Sequence, residues 1–144
     1  SRWFVVENGV KSIDYDWAGN LSFSKQGSQI AYIAKYNEDW FVVSNGRQGQ
    51  GFDDVDDIRF SPDGGRLAHA AKKSGKWFII TDGMSGESFD WTGNIVLSPN
   101  GKRLAYKAKV KEKYFLVIDG MRSDAFDNID YISFSPDNSH ITFT

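Results

Sequence analysis

Apolar and polar positions along this chain alternate in short bursts, each cut off by a turn. In Asp57–Ser61, Ile58 and Phe60 fall on one side and polar neighbours on the other, the period of two of a strand with one buried face. Ser61-Pro62-Asp63-Gly64 comes next; Pro presets φ and Gly accepts positive φ, so a tight turn is expected. Arg66–Lys72 and Lys76–Thr81 read as two further strands. Asp82-Gly83 is a hairpin signal, and a weaker strand is expected over Ser85–Asp90. No segment sustains a 3.6-residue period, and turn residues recur roughly every 8–12 positions, so helix is not expected.

The pattern repeats. Trp3, Trp40, Trp77 and Tyr114 are spaced by 37 residues, as are Gly9, Gly46, Gly83 and Gly120. Asp16, Asp53, Asp90 and Asp127 keep the step, with Ser24, Ser61, Ser98 and Ser135, and with Phe23, Phe60, Leu97 and Phe134. Self-similarity at this period marks a repeat architecture. No linker or composition shift interrupts it, so residues 1–144 form one domain, with units starting at about 3, 40, 77 and 114. Four short antiparallel strands per unit, here lettered A to D, make a propeller blade; stacking blade on blade buries the repeated apolar columns. The expected fold is all-β, a β-propeller of four 37-residue, four-stranded blade repeats.

The run F-S-P-D-G-x-x-L-A at Phe60–Ala68 returns with changes at Leu97–Ala105 and Phe134–Thr142. It resembles the WD-repeat-like propeller repeat of TolB-type proteins, which places W/F-S-P-D-G at the A–B turn. Three units depart from it: the first has Ser24-Lys25-Gln26-Gly27, the third Asn100 for Asp, the fourth Asn138 for Gly. These turns are expected to close, since Asn tolerates positive φ. The resemblance implies a propeller, an extracytoplasmic bacterial setting and a protein-interaction platform. It implies no chemistry, because propellers host many functions.

The termini are out of phase with the blades. The chain opens in strand C (Trp3–Glu7) and ends in strand B (His140–Thr144), giving C-D, three times A-B-C-D, then A-B. Each half-blade would present an open sheet edge. The leading expectation is a homodimer that exchanges halves and closes an eight-bladed ring. The alternatives are a closed four-bladed monomer and a fragment of a longer chain. The opening SRWFVV has no signal-peptide plan and starts inside a strand, which points to processing or trimming.

Composition narrows function by exclusion. A formal charge of -2 argues against a nucleic-acid partner, and no Cys means no disulfide or thiolate chemistry. No apolar run reaches the length of a membrane span. No phosphate-binding loop, metal-spaced His pair or nucleophile elbow is present, so no enzyme activity, cofactor or metal is expected.

In propellers, ligands usually meet the D–A and B–C loops around the channel mouth. Here the D–A loops carry Trp17, Asp54, Trp91 and Asn128 in one variable column, with Tyr131 nearby. An aromatic pair among amides and carboxylates suits peptide or sugar contacts; the structural alternative is that these Trp cap space between blades. Lys72 and Lys109, in one column with Lys35, form a basic rim that suits a charged partner or simply keeps strand edges soluble. Asp53, Asp54, Asp56 and Asp57 crowd one loop without the order of a calcium loop. The recurrence of the Asp16 column points to a turn or strand-end hydrogen bond. His69 shares a column with Tyr32, Tyr106 and Phe143 and reads as a core aromatic substitute; His140 reads as exposed. Asn20 begins a formal glycosylation sequon, but shares its column with Asp57 and Asn94 and reads as a strand-start residue. The function expected is a non-enzymatic scaffold that binds a protein or peptide at the D–A and B–C face. The alternatives are a structural module presenting another domain and a glycan-binding propeller.

Overall fold

Sixteen strands and no helix make up the computed structural model, which describes residues 1–144. An N-terminal half-blade holds β1 (Val6–Glu7) and β2 (Val10–Lys11). The first complete blade is β3 (Trp17–Phe23), β4 (Ile30–Tyr36), β5 (Asp39–Ser44) and β6 (Arg47–Gln48). The second is β7 (Asp54–Phe60), β8 (Leu67–Lys73), β9 (Lys76–Thr81) and β10 (Met84–Ser85). The third is β11 (Trp91–Leu97), β12 (Leu104–Val110), β13 (Lys113–Ile118) and β14 (Met121–Arg122). A C-terminal half-blade holds β15 (Ile132–Phe134) and β16 (Ile141–Phe143). Every sheet is an antiparallel meander in chain order.

The apolar columns pack between neighbouring blades. Ala31, Ile33, Val42 and Phe52 of the first blade meet Val55, Ala71 and Ile80 of the second. Ala68, Ala70 and Ile79 of the second meet Ile95, Leu97, Tyr106 and Val117 of the third. Strand B lies mid-blade and is buried on both faces. Its alanines (Ala31, Ala34, Ala68, Ala70, Ala71, Ala105 and Ala108) are fully enclosed, because only a small side chain lets two sheets approach there.

The A–B turns close as a hydrogen-bonded unit. Ser61 Oγ accepts from Arg66 N at 2.9 Å and donates to Asp63 Oδ1 at 2.5 Å, which also accepts from Gly65 N. Ser98 with Asn100 and Ser135 with Asp137 repeat this arrangement. Asn138 takes the left-handed conformation of Gly64, at φ 67° against 76°, so the fourth turn closes without glycine. From each of the first three turns, the residue just before strand B reaches to the turn of the next blade. Gln29 Nε2 donates to Gly64 O at 2.7 Å and Arg66 Nη1 to Gly101 O at 3.0 Å; Arg103 Nη1 lies 3.4 Å from Asn138 O.

Three expectations are corrected. Strand A of the second unit starts at Asp54 rather than Asp57. It contains a β-bulge in which Asp57 and Ile58 together oppose His69. Asp57, Asn20 and Asn94 stand in the bulges at φ 51–53°, so Asn20 is a mid-strand bulge residue and not a strand start. Strand D is shorter than expected: Met84 and Ser85 pair with β9, the chain swings out, and Phe89 returns as an isolated bridge to Trp77.

The two terminal half-blades do not join into one sheet. The sheets β1–β2 and β15–β16 are separate two-stranded sheets, with no strand pairing between them. Val6 of the N-terminal half-blade is 56% exposed, whereas Val43 and Val117 of the same column are 2% and 1% exposed.

Candidate partner-binding face

Trp17, Asp54 and Trp91 are the first residues of their A strands, not loop residues. Lys35, Lys72 and Lys109 likewise lie in strand B, directly across from them: Trp17 faces Lys35, Asp54 faces Lys72 and Trp91 faces Lys109. The A strands of successive blades are neighbours, so this row passes from blade to blade at one end of the sheets. Asn128 is exposed and accepts from Lys107 Nζ at 3.0 Å. Tyr131 sits apart from the row, in the bulge column, and is 68% exposed.

Each half-buried tryptophan lies over a glycine two residues on. A Cβ at Gly19 would stand 2.8 Å from the Trp17 ring, and one at Gly93 2.5 Å from the Trp91 ring. Residues i and i+2 share a strand face, so the indole can lie flat only where the next same-face residue has no side chain. Where the tryptophan is absent, an aspartate replaces the glycine: Asp54 is followed by Asp56, and Asn128 by Asp130, which its amide contacts. Trp17 also packs on Trp40, ring centroids 5.4 Å apart, beside the cluster between the first two blades. It therefore contributes to packing as well as to the surface.

The lysines rest on aromatic rings. Lys35 Nζ lies 5.3 Å from the Trp40 centroid, Lys72 Nζ 6.0 Å from Trp77, and Lys109 Nζ 5.3 Å from Tyr114. A cation held over an indole or phenol face keeps its charge at the surface while its stem covers apolar area.

The acidic run divides its carboxylates among separate partners. Asp53 Oδ2 accepts from Ser74 N at 2.7 Å; Asp16 and Asp90 do the same for Asn37 N and Lys111 N. This is the strand-end hydrogen bond expected of the repeated column, and it ties the D–A connection to the B–C turn of the same sheet. Asp54 accepts from Val55 N and Asp56 from Asp57 N. Asp57 holds Arg59 with one oxygen and, with the other, accepts from Ile95 N of the next blade at 3.0 Å. Lys76 Nζ, 2.5 Å from Asp90, holds that carboxyl below its usual range, with Lys111 N adding to it.

His69 is buried, and burial pushes its imidazole down from 6.5 to about 4. His140 is exposed, with Nδ1 2.6 Å from Ser139 Oγ. Asp137 contacts Ser139 rather than the imidazole. A hydrolytic triad needs its acid on the histidine, so these three residues form a turn and not a relay.

No protein-family model and no curated protein matches the chain. Among solved structures, TolB from Acinetobacter baumannii aligns with 92% of this chain at a TM-score of 0.57 and 18% identity. The fold is that of a TolB-type β-propeller. The chain spans 39% of that TolB chain's length. A putative 6-phosphogluconolactonase from Bacteroides uniformis aligns more loosely, at a TM-score of 0.46 and 17% identity over 85% of this chain and 46% of that one. So does hydrazine synthase from Kuenenia stuttgartiensis, at 0.41 and 16% over 99% and 55%. Within this TolB-type propeller, two features escape a reading of the residues alone. The Trp–Gly coupling is visible only as paired columns, Trp17/Gly19 and Trp91/Gly93 against Asp54/Asp56. The blade-to-blade reach of Arg66 and Arg103 joins positions 35 residues apart, and only folding reveals it.

Proposed function

We propose that this chain is a non-enzymatic propeller that binds a protein or peptide at the face where its A strands begin. The observation that carries the reading is the Trp17, Asp54, Trp91, Asn128 row. It varies from blade to blade while the flanking Asp16 column repeats, and its Trp17, Asp54 and Trp91 stand across from Lys35, Lys72 and Lys109. Rigid aromatics flanked by cations supply large contact area and orientation at low entropic cost. Tyr131 extends the face toward the C-terminal half-blade. The test selects a displayed random peptide library on the chain, then measures the selected peptide on Trp17→Asp and Trp91→Asp. Those variants carry a residue that the second blade already accepts at this position. Binding lost in them with the melting transition kept supports the reading. Enriched peptides that ignore both substitutions refute it.

The same proposal includes a homodimer in which two chains complete each other's half-blades. Register in the complete blades pairs Tyr32 with Val43 and Tyr106 with Val117. Carried over by the 37-residue step, it pairs Phe143 of one copy with Val6 of the other. Exposed Trp3, Phe4, Val6 and Phe143 supply the apolar surface for that contact.

A further inference from the structure

At the opposite end of the strands from the partner-binding face, a cleft of about 830 Å³ opens between the first and second complete blades. The volume lies within the ordinary range of small-molecule sites. Its floor is Val42, Phe52, Ile80 and the imidazole of His69. The neighbouring junctions show why the space is here. Where the second blade has His69, the first and third have Tyr32 and Tyr106, both buried, which place a phenol ring at this depth. At the junction of the second and third blades Arg122 also reaches back to Glu87, straps the groove, and lies 5.0 Å from the Phe89 and Phe115 rings. The residues one repeat earlier are Ser85 and Gln50, which carry no opposite charges to pair. Two independent substitutions, a smaller ring and a missing strap, thus open the same junction.

The polar groups left in the cleft are specific. His69 is 7% exposed; its Nδ1 lies 3.4 Å from Ala70 O, and its Nε2 has no protein partner. With Nδ1 as the donor, Nε2 is an acceptor on a residue that lines the cleft, and it is open to a donor that enters there. Arg47 lies at the rim, exposed, and joins none of the chain's ion pairs. Arg66, also at the rim, is already paired with Asp82. We propose that this cleft binds a small hydroxyaromatic carboxylate, its ring lying against Val42, Phe52 and Ile80 beyond the imidazole. The hydroxyl donates to His69 Nε2, and the carboxylate takes the two-pronged contact that a free guanidinium offers.

The probe is 4-hydroxyphenylacetate, titrated onto the whole chain by calorimetry and by ligand-observed NMR. A ligand of this size in such a site is expected to bind with a dissociation constant of about 1 mM or tighter. His69→Tyr, which installs the ring of the first and third blades, should weaken binding at least tenfold. His69→Phe fills the cleft in the same way and serves if the first variant does not fold. Arg47→Gln should weaken binding several-fold, and tyramine, with the same phenol but a cation in place of the carboxylate, should bind several-fold more weakly than the probe. The proposal is overturned by the absence of saturable binding to the unaltered chain. It is equally overturned by binding that survives both histidine variants, or by tyramine binding as tightly as the carboxylate.

Discussion

Replacing His69 with phenylalanine, the residue at this position in the fourth unit, removes an imidazole that the fold holds uncharged. Burial lowers it from 6.5 to about 4. Between those values the unfolded chain binds a proton that the folded chain refuses, so acid favours unfolding there. The neutral imidazole's contribution is complete above pH 6.5 and is lost as pH falls through that value to about 4. At about 1.4 kcal/mol per pH unit this amounts to about 3 kcal/mol. For a chain of this size that corresponds to roughly 6–12 °C in melting temperature. The assay is urea unfolding of both proteins across this interval, compared as a difference. Asp63, held low by the Ser61 hydroxyl and Gly65 N, loses its contribution only under stronger acid, as do Asp90, Asp127 and Asp137. All four are common to both proteins and cancel in the difference. The expected result is a stability gap that moves in favour of the phenylalanine variant as pH falls, by about 3 kcal/mol in total. Parallel stability curves would show that the imidazole ionises freely in the folded chain and would refute the reasoning.

Gly93→Ala sets a methyl 2.5 Å from the Trp91 ring, so the indole must leave its place, at about 1–3 kcal/mol; thermal melts and a red shift in tryptophan emission report it. The chain has no cysteine, so Val6→Cys with Phe143→Cys creates the only thiols, and oxidation should yield a covalent dimer of twice 16.2 kDa on a non-reducing gel. Light scattering at the monomer mass with no cross-link would contradict half-blade exchange. Asp53→Ala leaves Ser74 N without its acceptor and should cost about 1 kcal/mol in urea unfolding. Asp53→Asn, which keeps an acceptor oxygen, should recover most of it.

Much of the scaffold was legible because a 37-residue step superimposes independent constraints. Trp77 and Lys76–Thr81 form the expected C strand, Asp16, Asp53 and Asp90 make the strand-end bond, and Asn138 closes the turn where glycine was missing. The start of strand A was not legible. Asp54, Asp56 and Asp57 look like a loop because their charges and a left-handed residue oppose strand formation. A bulge accommodates Asp57, and a backbone N–H of the next blade engages its carboxylate. For the candidate face, the column Trp17, Asp54, Trp91 and Asn128 was visible, but the orientation of its indoles was not. That orientation depends on whether the residue two positions along the strand is a glycine. The cleft at His69 was hidden for a related reason: a lone histidine among tyrosines marks a substitution, and only the packed blades show that the lost volume stays open.

The pairing of each tryptophan with a glycine also bears on how such repeats can diverge. Passing from the Trp91–Gly93 arrangement to the Asp54–Asp56 arrangement takes two changes, and their order is not free. If the glycine changes first, the new side chain meets the ring well inside contact distance. If the tryptophan changes first, the intermediate holds aspartate beside glycine and meets no obstruction. The steric rule fixes the order without closing either direction: a blade gives up its indole before its glycine, and regains the glycine before the indole.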